Sequence, residues 1–190
     1  MDPIETIAGV VVGLGLAASA GFRIFVPLLL VSTAGYFGVL PVGESWGWLA
    51  SLPAVMLLGV ATLLETGAYF IPWFDNLLDT VAVPTASLAG VLVMASTMVE
   101  LDPVWRWALA IIAGGGTAGL IGAATAGTRL ASTAATGGLA NPIFAAGETI
   151  FSAILSVISV FLWPLAPVLL VVICVLFYRR RRRRRAARAA

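Results

Sequence analysis

Long apolar runs separated by short polar breaks dominate this 190-residue chain. The runs cover approximately residues 4–22, 24–40, 48–71, 81–99, 104–127, 142–163 and 165–178. A helix needs about 20 apolar residues to cross the hydrocarbon core of a bilayer, and it satisfies its own backbone hydrogen bonds there. The pattern therefore predicts an all-α, polytopic membrane protein.

Three segments decide how often the chain crosses the membrane. Residues 24–40 and 165–178 are short for a crossing, and residues 128–140 (TRLASTAATGGLA) are polar as well, which predicts a re-entrant or unwound segment. If every apolar run crosses, there are seven transmembrane helices and the N-terminus lies outside. If the two halves of the chain are structurally equivalent, six helices cross. We favour six, with the halves inverted, because duplicated halves with unwound segments are a common transporter plan.

An internal repeat relates those two halves. Residues 9–23 (GVVVGLGLAASAGFR) and residues 115–129 (GGTAGLIGAATAGTR) are identical at 8 of 15 positions, and both end on an arginine. Self-similarity of this kind predicts a duplicated unit. We place the first half at residues 1–102 and the second at 103–178, in a single integral membrane domain.

Small residues recur at every fourth position in both copies, on one face of each predicted helix. Such faces let helix backbones approach closely in lipid, where water does not drive association. They predict packing of the two copies against each other or against neighbouring helices, with a homodimer seam as the alternative. The predicted packing residues are Gly9, Gly13, Ala17, Gly21, Gly115, Gly119, Ala123 and Gly127.

Four charged residues lie in apolar surroundings at related positions. Arg23 and Arg129 end the two copies of the repeat, and Glu65 and Glu148 each begin a Glu-Thr pair with a proline 19 residues later. Such charges are costly unless paired or functional, and a planar guanidinium suits phosphate or carboxylate. We predict that both arginines bind an anion, with the glutamates as counter-ions or proton-coupling groups. The alternatives are arginines that end a helix and reach the interface, and glutamates that only close the helix bundle.

A predicted helix start adds a fifth candidate binding residue, Asn141. Two glycines at 137–138 precede it and Pro142 suits the first helical position. The amides of such a start favour anions, with plain loop and cap chemistry as the alternative. Asp75 and Asp79 could share a helix face, but turn-forming residues around them favour an interfacial loop or a short amphipathic turn.

Composition limits the possible chemistry. Hydrophobic residues make up 61% of the chain, charged residues 11%, and the mean hydropathy is +1.05. The chain has no histidine and one cysteine, Cys174, so histidine-based catalysis and an internal disulfide are excluded. We expect no enzyme activity, no catalytic residues, no metal site and no cofactor. The acidic N-terminus lacks the positive region of a signal peptide, so we expect the first helix to stay as an anchor.

Seven consecutive arginines, Arg179–Arg185, follow the last apolar run and define a tail at residues 179–190. Positive residues beside a helix end stay in the cytoplasm, so we predict a cytoplasmic C-terminus. The same arginines are expected to bind anionic lipids of the bilayer. No nucleic-acid partner is expected, because no aromatic platform lies beside them.

The segments AGFR (residues 20–23) and GGLANPIFAAGE (residues 137–148), with a glutamate inside a predicted helix, resemble a family of small bacterial inner-membrane proteins described as a domain of unknown function. The resemblance implies a compact helical domain in the bacterial inner membrane and no established activity. Two hypotheses follow from the charged pairs and the small faces. The first is a small transporter or channel for an anion or an anionic lipid headgroup. The alternative is a structural or partner-binding membrane subunit without transport activity.

Overall fold

The computed structural model describes residues 3–163, without the side chains of residues 72–77 and 79. Over this range the chain forms helices and no strand, which confirms the predicted all-α class. The helices are α1 (Pro3–Ala20), α2 (Phe25–Tyr36), α3 (Leu52–Ala68), α4 (Pro72–Thr97), α5 (Pro103–Thr136) and α6 (Asn141–Phe161), with a short 3-10 turn at Glu44–Trp46. The last apolar run, Cys174, the arginine tail and the side chains of Asp75 and Asp79 lie outside the described part.

Four of these helices are long and apolar enough to cross a membrane. They are α1, the Thr80–Thr97 part of α4, α5 and α6. The helices α2 and α3 are apolar but shorter, at 12 and 17 residues. By the length and composition of its helices the chain is a membrane protein, while the number of crossings, six or seven, stays a prediction.

Local signals in the sequence set several helix ends. The Ser51 hydroxyl accepts a hydrogen bond from the amide of Ala54 at the start of α3. The Asp102 carboxylate accepts one from the amide of Val104, 2.9 Å away, at the start of α5. Each cap is followed by a proline in the first turn, where no amide hydrogen is needed. At the other end of α5, Gly137 adopts a left-handed conformation (φ 64°) that glycine reaches without strain.

The prediction of an unwound segment at residues 128–140 is wrong for most of its length. Helix α5 continues to Thr136, and the chain turns only over residues 137–140. Two of its threonine side chains bond within the helix and do not unwind it. Thr128 and Thr136 each donate to a carbonyl one turn back, at 2.8 Å in both cases.

Residues 72–79, which we expected to form a loop or a short turn, are also helical. Pro72 begins α4 instead of ending the preceding helix. Proline favours the first turn of a helix because its fixed φ is already helical and its missing amide hydrogen has no partner there. A second proline, Pro84, lies inside α4 without ending it.

Helix α1 is the centre of the bundle, packed against α2, α4, α5 and α6. It runs antiparallel to α4, so that Gly9 lies against Thr97 and Gly13 against Met94. A Cβ atom on Gly9 would come within 2.5 Å of the Thr97 carbonyl oxygen, which shows how closely the two backbones approach. The small residues of the first repeat copy all face neighbouring helices: Gly9, Gly13, Ala17 and Gly21.

The second repeat copy follows its neighbour for only half its length. Gly115 and Gly119 lie against Ser87 of α4, whereas Ala123 and Gly127 are exposed on the single chain. A four-residue step overshoots one 3.6-residue turn by about 40°, so a row of four small residues winds off any one neighbour. The row on α1 stays covered because four other helices pack against α1. The row on α5 becomes exposed after Gly119.

The two predicted halves also differ where their sequences match best. Arg23 follows the end of α1 and precedes α2, whereas Arg129 lies within α5, two turns before its end. A π-helical segment, Ala110–Gly115, further distinguishes α5 from α1. The duplication at residues 1–102 and 103–178 stays a prediction from the sequence.

Candidate functional site

Arg23 is buried at one end of the bundle, with only 1% of its surface exposed. Its Nη2 atom donates to the carbonyl oxygen of Ala145 at 2.7 Å, and its Nε atom donates to the hydroxyl of Thr149 at 2.9 Å. Both partners lie on α6. The break between α1 and α2 thus turns the guanidinium into the bundle, where it is held by directed hydrogen bonds.

Glu148 connects the two repeat arginines. Its Oε2 atom lies 3.4 Å from Nη2 of Arg23, and its Oε1 atom lies 3.5 Å from Nε of Arg129. Arg129 is 2% exposed, and the Glu148 side chain is 10% exposed. The site thus has one carboxylate between two buried guanidiniums. These ion pairs connect the break between α1 and α2 with α5 and α6.

Tyr69 contributes an aromatic face to the same cluster. The guanidinium carbons of Arg23 and Arg129 lie 3.9 Å and 4.3 Å from the centre of its ring. A ring face attracts cations, most strongly away from water, and Tyr69 is only 4% exposed. Sequence reasoning missed this residue. Its signal was its position one turn after Glu65, at the end of the same predicted helix.

Glu65 has a different role from its sequence counterpart. Its two carboxylate oxygens accept hydrogen bonds from the backbone amides of Ile24 at 2.9 Å and Phe25 at 3.0 Å. These amides begin α2, for which no local side chain provides a cap. A carboxylate there balances the positive end of the helix dipole, and the attraction between Glu65 and Arg23 acts at longer range. The two glutamates that the sequence predicts as counter-ions therefore differ: Glu65 caps a helix, and Glu148 forms the ion pairs.

Asn141 is buried and is the first residue of α6, where the sequence predicted a helix start. Its amide nitrogen donates to the hydroxyl of Thr133 at 2.8 Å, which ties the beginning of α6 to the last turns of α5. The two glycines that precede it have positive φ angles and make the turn between these helices. This contact positions α5 and α6, the helices that carry Arg129 and Glu148.

A cluster of hydroxyl groups lies one turn along α6 from the ion pairs. Ser19 donates to the carbonyl oxygen of Ser152 at 2.8 Å, and its hydroxyl contacts those of Ser152 and Ser156. All three serines are buried. Sequence reasoning missed this cluster as well, although two serines four residues apart on an apolar helix were a usable signal. The serines fix α1 against α6 and so support the position of Arg23.

The chemistry that this site displays is the pairing of two guanidiniums with one carboxylate, that of Glu148. Both guanidiniums are buried and lie over the ring of Tyr69, and planar guanidinium forks bind carboxylate and phosphate oxygens well. In the described part of the chain, no group of three or more His, Cys, Asp or Glu residues could hold a metal ion.

No curated protein and no solved structure matches the chain significantly. A family model described as a domain of unknown function, DUF4126, matches residues 10–183. This range includes α1 from residue 10 onward, the other five helices, the ion-pair cluster and Arg179–Arg183 of the tail, which confirms the resemblance to a family of unknown function. The chain belongs to the DUF4126 family.

Proposed function

We propose that this protein binds an anion, or the anionic headgroup of a lipid, and moves it across the bacterial inner membrane. The observation that supports this most directly is the Glu148 carboxylate between Arg23 and Arg129. A carboxylate is itself an anion of the kind that paired guanidiniums recognise. In the proposed mechanism, Glu148 occupies the place that an external anion takes.

A further observation supports an incoming ligand. The Nη1 atom of Arg23 is buried and has no hydrogen-bond partner within the described part of the chain. An unsatisfied buried donor is costly, particularly on a charged group. An anion oxygen at this place would satisfy it, which offsets part of the cost of displacing Glu148.

Exchange of Glu148 for an anion suggests proton coupling. With an anion on the arginines, an ionised Glu148 beside it would be repelled, because like charges at close range disfavour ionisation of both. Uptake of a proton by Glu148 removes this repulsion. The proposal therefore has one proton entering the site with the anion, and it involves no chemical change of the ligand and no enzyme activity.

The arginine tail completes the proposal. Arg179–Arg185 would hold the C-terminus at the cytoplasmic surface by attraction to anionic headgroups. No nucleic acid takes part in this function.

The proposed function is tested with the full-length protein in liposomes that contain fluorescent anion and proton reporters. We expect uptake of phosphate or glycerol phosphate with a coupled proton, and its loss in the double variant Arg23→Gln plus Arg129→Gln. The double variant Arg23→Lys plus Arg129→Lys keeps both positive charges but lacks the planar guanidinium groups. It therefore measures how much of the uptake depends on guanidinium geometry.

A matched control is Arg106→Gln. Arg106 lies 23 residues before Arg129 on α5, about 34 Å away along the helix at 1.5 Å per residue. Its Nη2 atom donates to carbonyl oxygens at the turn between α4 and α5, at 2.9 Å. Unchanged anion flux in both double variants would contradict the proposal, as would an equal loss of flux in Arg106→Gln.

A second candidate function is that of a partner-binding or structural subunit. It is favoured by the exposed small residues Ala123 and Gly127 on α5, flanked by the exposed side chains of Leu120 and Leu130. Small faces of this kind pack helices in lipid, so this surface suits a second copy of the chain or another membrane subunit. Gly127→Leu would then change the oligomeric state in detergent or release a co-purifying subunit. A variant that behaves as the unaltered protein in both respects would exclude this role for the face.

A further inference from the structure

An apolar groove lies directly beside the arginine site. It has a volume of about 520 Å³ and is formed by α2, α3 and α4. Most of its lining is apolar, including Ile24, Phe25, Ala61, Leu64, Ala68 and Val81. Leu64 and Val81 are also exposed at its rim, so the groove opens on the outer face of these helices.

The polar groups in the groove wall are already engaged. The oxygens of Glu65 accept hydrogen bonds from the amides of Ile24 and Phe25, and the Thr85 hydroxyl donates to the carbonyl oxygen of Val81 at 2.5 Å. A wall whose polar atoms are satisfied suits a hydrocarbon chain better than a hydrated ion.

Tyr69 joins the groove to the arginine site. It lines the groove, and the guanidiniums of Arg23 and Arg129 lie within 4.3 Å of its ring centre. A ligand in the groove would therefore contact the same aromatic residue that both guanidiniums contact. Apolar surface on one side of the ring and paired arginines beside it match an amphiphile with a negative headgroup.

We propose that this groove holds the hydrocarbon chain of a lipid phosphate whose headgroup binds Arg23 and Arg129. This inference rests on the proposed function and names its substrate class. A terminal phosphate offers more acceptor oxygens than the two of the Glu148 carboxylate, enough for both guanidinium forks. It could thus displace Glu148 and also reach the Nη1 atom of Arg23, which has no hydrogen-bond partner among residues 3–163.

The groove contributes to lipid binding mainly by positioning the headgroup, and only little through the hydrophobic effect. A lipid chain that enters it leaves other hydrocarbon, not water, so the usual hydrophobic gain is absent. The chain instead tethers the headgroup beside the arginines and raises its local concentration. We therefore expect the groove to discriminate between a lipid phosphate and the same headgroup without a chain.

The test compares three probes on the full-length protein in mild detergent. They are dioleoyl phosphatidic acid, dioleoyl phosphatidylcholine with the same chains, and glycerol phosphate without chains. Ala61→Trp fills the groove, and Leu63→Trp adds the same ring to α3 where the side chain is 74% exposed. We expect phosphatidic acid to bind the unaltered protein more tightly than either other probe. Ala61→Trp should weaken that binding about tenfold, and Leu63→Trp should leave it unchanged.

The outcomes separate the groove from the arginine site. If Ala61→Trp binds phosphatidic acid as the unaltered protein does, or weakens glycerol phosphate equally, the groove does not hold the chain. In either case the proposed function survives as long as Arg23→Gln plus Arg129→Gln abolishes glycerol phosphate binding. If that double variant binds every probe normally, the proposed function fails and this inference fails with it.

A second measurement avoids dependence on a substituted protein. Phosphatidic acid with a photoreactive group in its chain is cross-linked to the unaltered protein, and the modified peptides are identified by mass spectrometry. We expect cross-links on groove-lining residues of α3 and α4, such as Ala61, Leu64 and Val81. Cross-links confined to other surfaces would overturn the assignment of the groove.

Discussion

Glu65 and Glu148 begin matching Glu-Thr pairs in the sequence but have different partners in the structure. Glu65 accepts hydrogen bonds from two backbone amides at the start of α2, at 2.9 and 3.0 Å. Glu148 lies 3.4 and 3.5 Å from the two repeat arginines. The first glutamate therefore holds a helix in place, and the second is the residue that we propose to exchange with a ligand.

Glu65→Gln should destabilise the protein without weakening anion binding. The amide keeps one acceptor oxygen but loses the charge that offsets the dipole of α2, which should cost about 1–2 kcal/mol. Denaturant or thermal unfolding in detergent measures this loss. Glu100→Gln, an exposed change of the same type, serves as the control and should have little effect. Equal stability of the two variants would show that the Glu65 cap does not matter.

Substitutions of Tyr69 separate its ring from its hydroxyl group. Tyr69→Phe retains the ring face that both guanidiniums contact, whereas Tyr69→Leu removes it. Each desolvated cation–π contact is worth about 1–2 kcal/mol. We expect the leucine variant to lose that stability and the phenylalanine variant to lose much less, measured by unfolding. Similar losses in the two variants would assign the effect to the hydroxyl group instead.

Gly13→Ala and Gly127→Ala should change stability in opposite directions. A Cβ on Gly13 would come within 2.5 Å of Thr97 Oγ1 and 3.2 Å of Met94 Cα, so the α1–α4 contact must open at a cost of about 1–3 kcal/mol. A Cβ on Gly127 meets nothing within 4 Å in the described structure. Removing a helix-interior glycine there should stabilise α5 by about 0.5–1 kcal/mol. The unfolding temperatures of the two variants give the answer, and a shift of the same sign in both would contradict the packing of α1.

Ser19→Ala should destabilise the contact between α1 and α6. It removes the hydroxyl that bonds to Ser152 and Ser156 and leaves buried groups without that partner, at a cost of about 1–3 kcal/mol. The exposed Ser45 provides the control substitution, Ser45→Ala. A double-mutant cycle of Ser19→Ala with Ser156→Ala should show coupling of about 1 kcal/mol. Strict additivity would mean that the two hydroxyls do not interact.

Much of the helix arrangement follows from the sequence because its causes are local. Apolar runs of sufficient length predict the long helices, and the starts of α3 and α5 depend on a cap and a proline that are adjacent in sequence. The prediction of an unwound segment at residues 128–140 fails because it rests on the polarity of these residues alone, whereas α5 continues to Thr136. Threonine hydroxyls bonded to the preceding turn remove that penalty, so residues 128–136 can remain helical.

The candidate site could be predicted only in part. Arg23 and Arg129 stand out in the sequence because each ends a copy of the repeat, and Glu148 stands out because it lies inside an apolar run. The contribution of Tyr69 does not stand out, because an aromatic residue near a helix end normally indicates the membrane interface. Its place beside the two arginines depends on how α3 packs against α2 and α6, and a single sequence does not specify that packing.

The affinity of the full-length protein for glycerol phosphate, measured by calorimetry in detergent, tests the central claim most directly. If Glu148 competes with the ligand for the arginine pair, Glu148→Gln removes the competitor and should tighten binding by about tenfold. Arg23→Gln plus Arg129→Gln should abolish binding in the same assay. Binding that is weaker or unchanged in Glu148→Gln, or retained in the double arginine variant, would contradict the account and leave the cluster with a structural role only.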